Sequence, residues 1–286
     1  MSGEIFIPEC FSLEPEAAEV IRKTLNDPAD AADVQHIVDR VFVPEMPDAL
    51  ETMPRSGMEL DRLLLAATVL YWPQAVKCYE NLKWPMKLLH DTLLDVRTWS
   101  LHHHRNYGVW GLCWDGTLFI RAQMRALVVR FGRLQCNTNY PLWKELQDPD
   151  GKWLLPKGCQ VINLHIPEHG AMPLQGCLDS MEQMREFYRI YRPEIEWQAF
   201  VCHSWLLDPQ LAELLPPSSN IVQFQKLGTI IGEPDKKTDT IFRVFGVKAV
   251  QEGVSSVPWT TSMQKTLGKF VLDGGEFHPA WMVIPR

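Results

Sequence analysis

The stretch that decides the fold consists of CQVINLHI (159–166), PEHGAMP (167–173) and, after a helical segment, WQAFVCHSWLL (197–207). The first segment is almost continuously apolar up to Pro167, which is typical of a strand covered on both faces. The segment between the two strands repeats apolar side chains at the spacing of one helix face: Cys177, Met181, Met184, Tyr188 and Tyr191. Since Pro193 ends this helix, the sequence predicts a β-α-β unit with two neighbouring parallel strands.

The turn of this unit, from Pro167 to Pro173, is the first candidate for ligand binding. A helix that starts directly after a strand presents unpaired backbone N–H groups and the positive end of its dipole at one point. Such a point suits an anion, for example a pyrophosphate. The turn lacks the Gly-x-Gly-x-x-Gly spacing of dinucleotide sites, so the pattern indicates an anion site without naming its ligand.

The chain before this unit is predicted to begin with helices only. Helical periodicity covers residues 15–25, 30–42, 58–70 and 85–105. The third of these helices is expected to end at Trp72-Pro73, because proline disfavours a continuing helix. From Val128 to Cys136 the pattern becomes that of a strand. We therefore expect a domain boundary there, with a helical domain over 1–127 and a sheet-containing domain over 128–286.

Beyond this boundary, strands and helices are expected to alternate. Residues 137–158, which contain Asp148-Pro149-Asp150-Gly151, are predicted to form a loop or a turn-containing excursion between two strands. After the central unit we predict a strand at 220–231, helices at 238–245 and 261–272, and a last strand at 276–284. The second half is thus predicted to be rich in β-structure.

Composition bounds the class of protein. The chain has 286 residues, of which 46% are hydrophobic, so it can bury a full core. A net charge of −7 disfavours a nucleic-acid partner. No apolar run approaches the roughly 18 residues of a membrane span, and the first residues do not resemble a signal peptide, so we expect a cytoplasmic protein without a membrane partner. The seven cysteines include no Cys-x-x-Cys pair and are expected to be reduced thiols.

Three consecutive histidines, His102 to His104, suggest a metal site at first sight. On a helix, however, consecutive side chains diverge by about 100°, so the three imidazoles cannot converge on one ion. The His-Glu-x-x-His pattern of metal hydrolases is also absent from the sequence. We therefore predict no metal.

Several strings, taken together and in order, resemble one family. They are FGRLQ (131–135), INLHIP (162–167), FVCHSWLLDPQLAELLPPSSNIVQFQ (200–225), RVFG (243–246), TTSMQKTL (260–267) and Gly274-Gly275. These strings look like those of bacterial acyltransferase-domain proteins, in which a helical N-terminal N-acyltransferase domain precedes a GNAT-like C-terminal domain. The resemblance implies an α+β fold, with a helical domain followed by a GNAT-like mixed β-sheet flanked by helices.

The resemblance also implies an acyl donor. In a GNAT-type fold two central parallel strands splay apart and admit the pantetheine arm of acetyl-CoA or another acyl-CoA, and here these strands would be 159–166 and 197–207. The pyrophosphate would then meet the turn that follows. The implied cofactor-binding residues are Ile166, Glu168, His169, Gly170, Ala171 and Leu174. Of the Arg/Gln-x-x-Gly-x-Gly/Ala pattern usual in this family, only Gly170 is present, and the carboxylate of Glu168 would repel phosphate.

Three residues in the two central strands are candidates for catalysis. Amide formation needs a base that takes a proton from an ammonium, and His203, with His165 as the second candidate, can serve as that base. Ser204, or alternatively Cys202, could protonate the leaving thiolate. Because strand side chains alternate, Ser204 and Cys202 point to the face opposite His203. Hydrogen-bonded core histidines are the alternative interpretation.

The sequence thus leads to two main functional hypotheses, and a third, metal hydrolysis through histidines, is the weakest because its sequence patterns are absent. The first is an N-acyltransferase that transfers an acyl group from acyl-coenzyme A to a small amine. The second is a non-catalytic ligand-binding or interaction module that keeps the fold. This hypothesis is favoured because the turn after the first strand departs from the usual phosphate-binding pattern. Thermal-shift measurements with acyl-coenzyme A esters separate the two.

Overall fold

The computed structural model describes residues 5–43, 52–233 and 238–286 of the chain. It divides into two compact units. The first contains the chain up to Phe131 together with Pro167–His169, and the second contains Gly132–Ile166 and Gly170–Arg286.

The described part of the first unit is built from six helices and ends with one strand. The helices are α1 (Pro15–Asn26), α2 (Pro28–Val41), α3 (Gly57–Asn81), α4 (Met86–Thr92), α5 (Leu94–Tyr107) and α6 (Trp114–Met124), and the strand is β1 (Val128–Phe131). Helix α5 ends at Gly108, whose φ of 75° is the left-handed conformation that favours glycine. A helical first region is therefore confirmed.

Helix α3 corrects the prediction that Trp72-Pro73 ends a helix. Pro73 lies inside α3, which continues to Asn81. The residues beyond the proline bring large buried side chains into the core. Tyr79, for example, is fully buried, and its hydroxyl donates to the carbonyl of Gln123 at 2.9 Å. Burial of such residues offsets the cost of about 3 kcal/mol that a proline imposes inside a helix.

The second unit is organised around a mixed sheet. Five strands from the described part of this unit lie in it in the order β2-β5-β6-β8-β7. Their bounds are β2 (Leu134–Asn137), β5 (Ile162–His165), β6 (Ala199–Ser204), β7 (Thr229–Gly232) and β8 (Ala280–Pro285). Strands β5 and β6 are parallel, as predicted, and the other neighbouring pairs of these five are antiparallel. The excursion after β2 contains a small separate hairpin of β3 (Leu146–Gln147) and β4 (Leu154–Leu155).

Helices complete the second unit. The longest, α7 (Leu174–Tyr191), connects the two parallel strands. The others are α8 (Leu211–Leu214), α9 (Asn220–Gln225), α10 (Asp239–Phe245), α11 (Val247–Glu252) and α12 (Ser262–Leu272). The fold class predicted from the sequence, a helical region followed by a mixed sheet flanked by helices, is confirmed.

Two predicted strands are corrected by the structure. Residues 220–231 were expected to form one strand, but they form α9 and then β7, because the Ser219 hydroxyl caps the helix by accepting from the N–H of Val222 at 3.3 Å. The stretch Val128–Cys136 forms two strands, β1 and β2, separated at Gly132 with a φ of 61°. The sequence had shown the apolar runs but not where they break.

The two faces of the sheet carry different side chains. Ile162 pairs with Phe200, Asn163 with Val201, and Leu164 with Cys202. Because paired residues share a face and successive residues alternate, Phe200 lies on one face and Val201 on the other. Arg185 of α7 lies over the ring of Phe200, so α7 covers that face. The opposite face packs against the excursion after β2 through Val201, Val283, Trp281, Leu142, Leu146 and Leu155.

Within the described ranges, no helix combines the length and the apolar character that crossing a membrane requires.

Candidate active site

His203 lies on the sheet face opposite α7. It pairs across the ladder with Trp281 of β8, and its imidazole stacks on that indole with ring centroids 4.8 Å apart. The side chain is 31% exposed, so one part of the ring is held by protein while another can reach a ligand. This is the environment that a proton-accepting histidine requires.

Glu233, which directly follows β7, holds this histidine. Its Oε2 is 2.9 Å from Nε2 of His203, and its Oε1 accepts from Nε1 of Trp281 at 2.9 Å and from Nζ of Lys144. Burial raises the pKa of the Glu233 carboxyl, but hydrogen bonds from Lys144, His203 and Trp281 outweigh burial and lower it to about 2. Glu233 is therefore a carboxylate at neutral pH. Neither Glu233 nor Lys144 was predicted from the sequence.

The carboxylate determines which nitrogen of His203 carries the proton. An ionised carboxylate only accepts hydrogen bonds, so Nε2 of His203 must be its donor. In the neutral ring, Nδ1 then carries the lone pair. None of the side chains that the structure describes hydrogen-bonds to Nδ1. The arrangement can thus accept a proton at Nδ1 while Glu233 stabilises the resulting imidazolium.

His165, the second candidate base, lies on the same face in the neighbouring strand but in different surroundings. Its Nε2 donates to Oδ1 of Asn137 at 2.8 Å, and the amide of Asn163 donates to the same oxygen at 2.8 Å. Burial lowers the pKa of His165 to about 4, so the ring is neutral at pH 7 and holds a proton weakly. This environment resembles that of a hydrogen-bonded core histidine.

Ser204 and Cys202 lie on the face opposite His203, as strand alternation predicts. The Ser204 hydroxyl accepts from the N–H of Leu206 at 3.2 Å and so caps a 3-10 turn over Trp205–Leu207. The thiol of Cys202 is buried, which raises its pKa to about 12. A thiol in that state is a poor nucleophile and a poor acid at neutral pH.

The predicted coenzyme A residues fall into both units, and those of the second unit surround the start of α7. Helix α7 begins at Leu174, and no side chain caps its first turn. Gly170 has a φ of 65°, with open space where a Cβ would lie. The carbonyl of Ala171 accepts from Nε of Arg133 at 2.8 Å, which holds a guanidinium beside the turn. Ile166 is partly buried directly after β5.

Glu168 belongs to the first unit, where two basic side chains hold it. Nδ1 of His102 lies 3.0 Å from one carboxylate oxygen, and Arg105 donates to the other at 2.6 Å. Burial raises the pKa of the Glu168 carboxyl, but His102 and Arg105 outweigh this effect and lower it to about 2. The negative charge that we expected to repel a phosphate is therefore paired. His169 is exposed, and its N–H donates to the carbonyl of Pro167 at 2.8 Å.

The three consecutive histidines point to different partners. His102 faces Glu168, His103 lies 2.8 Å from Asp61, and His104 stacks on Trp110 with ring centroids 4.1 Å apart. Within the described ranges there is no group of three or more His, Cys, Asp or Glu side chains that could hold a metal ion.

Two family models match the chain. The model of the GNAT-like C-terminal domain matches residues 128–281, and that of the N-acyltransferase N-terminal domain matches residues 9–116. Since the first match alone covers more than half of the chain, the protein belongs to the family with a GNAT-like C-terminal domain. The resemblance seen in the sequence strings is confirmed.

Solved structures of similar fold are described as acyltransferases. An acyltransferase in complex with decanoyl-CoA superimposes with a TM-score of 0.74 at 22% identity, covering 99% of this chain and 90% of that one. An acyltransferase in complex with CoA and 10C-Teicoplanin gives a TM-score of 0.71 at 19% identity, with 97% and 86% covered. An acyltransferase mutant in complex with octanoyl-CoA gives 0.71 at 19% identity, with 100% and 91% covered. Among curated proteins, none matches the chain. At these identities the likeness establishes the fold.

Proposed function

We propose that the protein is an acyl-CoA-dependent N-acyltransferase that acylates an amine of a small molecule. The observation that carries this proposal is the pair of His203 and Glu233, since it leaves Nδ1 of a carboxylate-bound imidazole available as a base. Family membership supports it, and so do the structural neighbours, which are described as acyltransferases bound to acyl-CoA. Some of those neighbours are also described with teicoplanin, which supports a small-molecule acceptor here.

The residues of the second unit fit an acyl-coenzyme A. The uncapped first turn of α7, from Leu174, offers backbone N–H donors, and Gly170 lets the backbone approach a pyrophosphate closely. Arg133 adds a positive charge beside them. The β5–β6 ladder ends at Leu164 and Cys202, although β6 stays paired with β8 up to Ser204 and Ala280. This early end of the ladder is where we propose that the pantetheine arm enters.

A bound acyl-coenzyme A supplies an activated thioester, and the protein supplies the base. Amide formation removes two protons from an acceptor ammonium. Nδ1 of His203 accepts one of them and later releases it to water, while the other ends on the leaving thiol. Glu233 stabilises the imidazolium that forms in between. We assign no acid to the thiolate, because the Ser204 hydroxyl caps a turn on the other face.

We also propose that the two units are the two domains of the chain, with the N-acyltransferase N-terminal match in the first and the GNAT-like match almost entirely in the second. The base and the proposed pyrophosphate contacts then both belong to the GNAT-like domain. The helical domain carries the ion pairs of Glu168.

Binding of coenzyme A tests this proposal directly. Calorimetry with coenzyme A, acetyl-CoA and decanoyl-CoA is expected to detect binding, and Arg133→Leu is expected to weaken it about tenfold or more, because a charge-assisted contact is lost. Arg189→Leu is the matched control, since Arg189 lies near the other end of α7 and pairs with Glu186. If none of the three ligands bound at millimolar concentration, the protein would instead be a binding module of another specificity.

A further inference from the structure

The two oxygens of the Glu233 carboxylate have different partners. Oε2 faces Nε2 of His203, whereas Oε1 faces the indole N–H of Trp281 and the ammonium of Lys144. The carboxylate is therefore shared between the candidate base and a permanent cation. A carboxylate that served only to orient His203 would need no cation on its other oxygen.

The partners reach this carboxylate from separate elements. Glu233 is fixed at the end of β7 by its backbone N–H, which donates to the carbonyl of Pro279 at 3.3 Å. Trp281 comes from β8, His203 from β6, and Lys144 from the excursion after β2. The ammonium of Lys144 lies 5.1 Å from the ring centroid of Trp281 and 5.4 Å from that of Trp143, within the range of a cation–π contact. Two rings and a carboxylate thus hold the lysine in place.

We propose that Glu233 and Lys144 together tune His203: Glu233 is a positioning residue that fixes the Nε2–H tautomer of the ring, and Lys144 offsets the charge of Glu233 and so limits how strongly the carboxylate favours a charged ring. This inference rests on the proposed function of His203. It assigns a role to two residues outside the β-α-β unit.

Glu233 and Lys144 act on His203 electrostatically. A carboxylate at hydrogen-bond distance favours the protonated form of an imidazole, and a protonated imidazole cannot act as a base. A cation on the second carboxylate oxygen opposes that effect, because the Glu233–Lys144 pair has no net charge. Other titratable side chains also pack on this face. Burial lowers the pKa of His165 of β5 and raises the pKa values of Tyr140 and Cys159, so all three are neutral at pH 7. The charged side chains that act on the His203 ring are therefore those of Glu233 and Lys144.

Substitutions of Lys144 and Glu233 are expected to shift the pH dependence of kcat/KM in opposite directions, which a merely structural role of these residues would not produce. In Lys144→Met the carboxylate is no longer shared, so the acidic limb of kcat/KM against pH is expected to move to higher pH. In Glu233→Gln the limb is expected to move to lower pH, and the plateau is expected to fall about 10–100-fold, part of the gain that a positioned base provides. Glu233→Asp should recover part of that loss. Lys152→Met is the control in the same excursion, because Lys152 is exposed and pairs with Asp150, and no shift is expected there.

A second measurement is independent of turnover. The titration of the His203 ring protons, followed by NMR in the whole 286-residue chain without ligand, should show the same two opposite shifts, with His203→Gln identifying the resonance. If the wild type showed no acyl transfer while the opposite shifts were present, the proposed function would fail and the charge balance would stand. If Lys144→Met left the titration midpoint unchanged or lowered it, the inference would be wrong whatever the activity. Lys144→Met alone decides the matter if Glu233→Gln does not fold.

Discussion

His203 and His165 occupy equivalent positions on neighbouring parallel strands, yet their surroundings give them different chemistry. Each lies one residue beyond the last pair of the β5–β6 ladder, and both point to the same face. Both rings donate from Nε2. The acceptor is a carboxylate for His203 and the amide oxygen of Asn137 for His165. A carboxylate stabilises an imidazolium and an amide does so much less, so the partner of Nε2 separates a candidate base from a structural histidine.

The largest expected effect is on turnover. His203→Gln removes the base, so kcat should fall by about 10²–10⁴-fold, the usual contribution of general acid–base catalysis, with the affinity for coenzyme A nearly unchanged. The acidic limb of the rate profile should disappear with it. His165→Gln is the matched substitution on the neighbouring strand, and we expect turnover per folded molecule to be retained, because glutamine can still donate to Asn137.

Steady-state kinetics and melting temperatures of both variants, measured on the same samples, check this contrast. Equal losses of kcat at the two positions would contradict the predicted difference between the two histidines and make His165 part of the catalytic machinery. Retained turnover in both variants would remove the histidine base altogether.

The β-α-β unit could be predicted because its information is local. A continuous apolar run, a helical period in α7 and a second apolar run are all visible within residues 159–207. The errors arose where a distant contact or a single capping residue decides. Pro73 remains inside α3 because residues after it are buried, and α9 starts because Ser219 caps it within a run that is apolar enough to resemble a strand.

The candidate site was only half predictable, because residues far apart in the sequence form it. His203 could be named because it lies within a recognisable strand. Glu233 lies 30 residues after His203, and Lys144 lies 89 residues before Glu233, so only the sheet brings them together. The one local indication for Glu233 was an acidic residue directly after the apolar run TIIG (229–232). No pattern indicated Lys144, because its position depends on how the excursion after β2 folds over Trp281.

A smaller effect concerns stability in acid. The pKa of His165 falls from 6.5 to about 4 on folding, because burial disfavours the charged ring. Since the unfolded chain binds the proton more tightly, the stability that His165 contributes is fully present above pH 6.5 and is lost as the pH falls towards about 4. The loss is at most about 3 kcal/mol, because His165 keeps partial contact with solvent.

Urea unfolding at pH 7 and pH 4.5 measures this loss, and His165→Gln should reduce it. Glu168 and Glu233 interfere little in this window, because their pKa values are lowered to about 2 and most of their contribution is lost below pH 4.5. An identical acid dependence in the wild type and in His165→Gln would show that His165 is not the group that titrates, and the contrast with His203 would lose its electrostatic basis.

The smallest expected effect tests the opposite face of β6. The Ser204 hydroxyl accepts from the N–H of Leu206, so Ser204→Ala leaves the first donor of the Trp205–Leu207 turn without that acceptor. Loss of such a cap costs about 1 kcal/mol, and turnover per folded molecule should be retained because the side chain points away from the His203 face. Ser204→Thr keeps a hydroxyl and is the matched control, with a melting temperature expected near that of the wild type.

A variant that melts normally but loses turnover by about 10²-fold would instead make Ser204 the acid that protonates the leaving thiolate. It would then place the acid and the base on opposite faces of β6, which a single bound substrate could reach only if the strand ended between them. Because β6 stays paired with β8 through Ser204 and Ala280, we expect the loss of stability and not the loss of turnover.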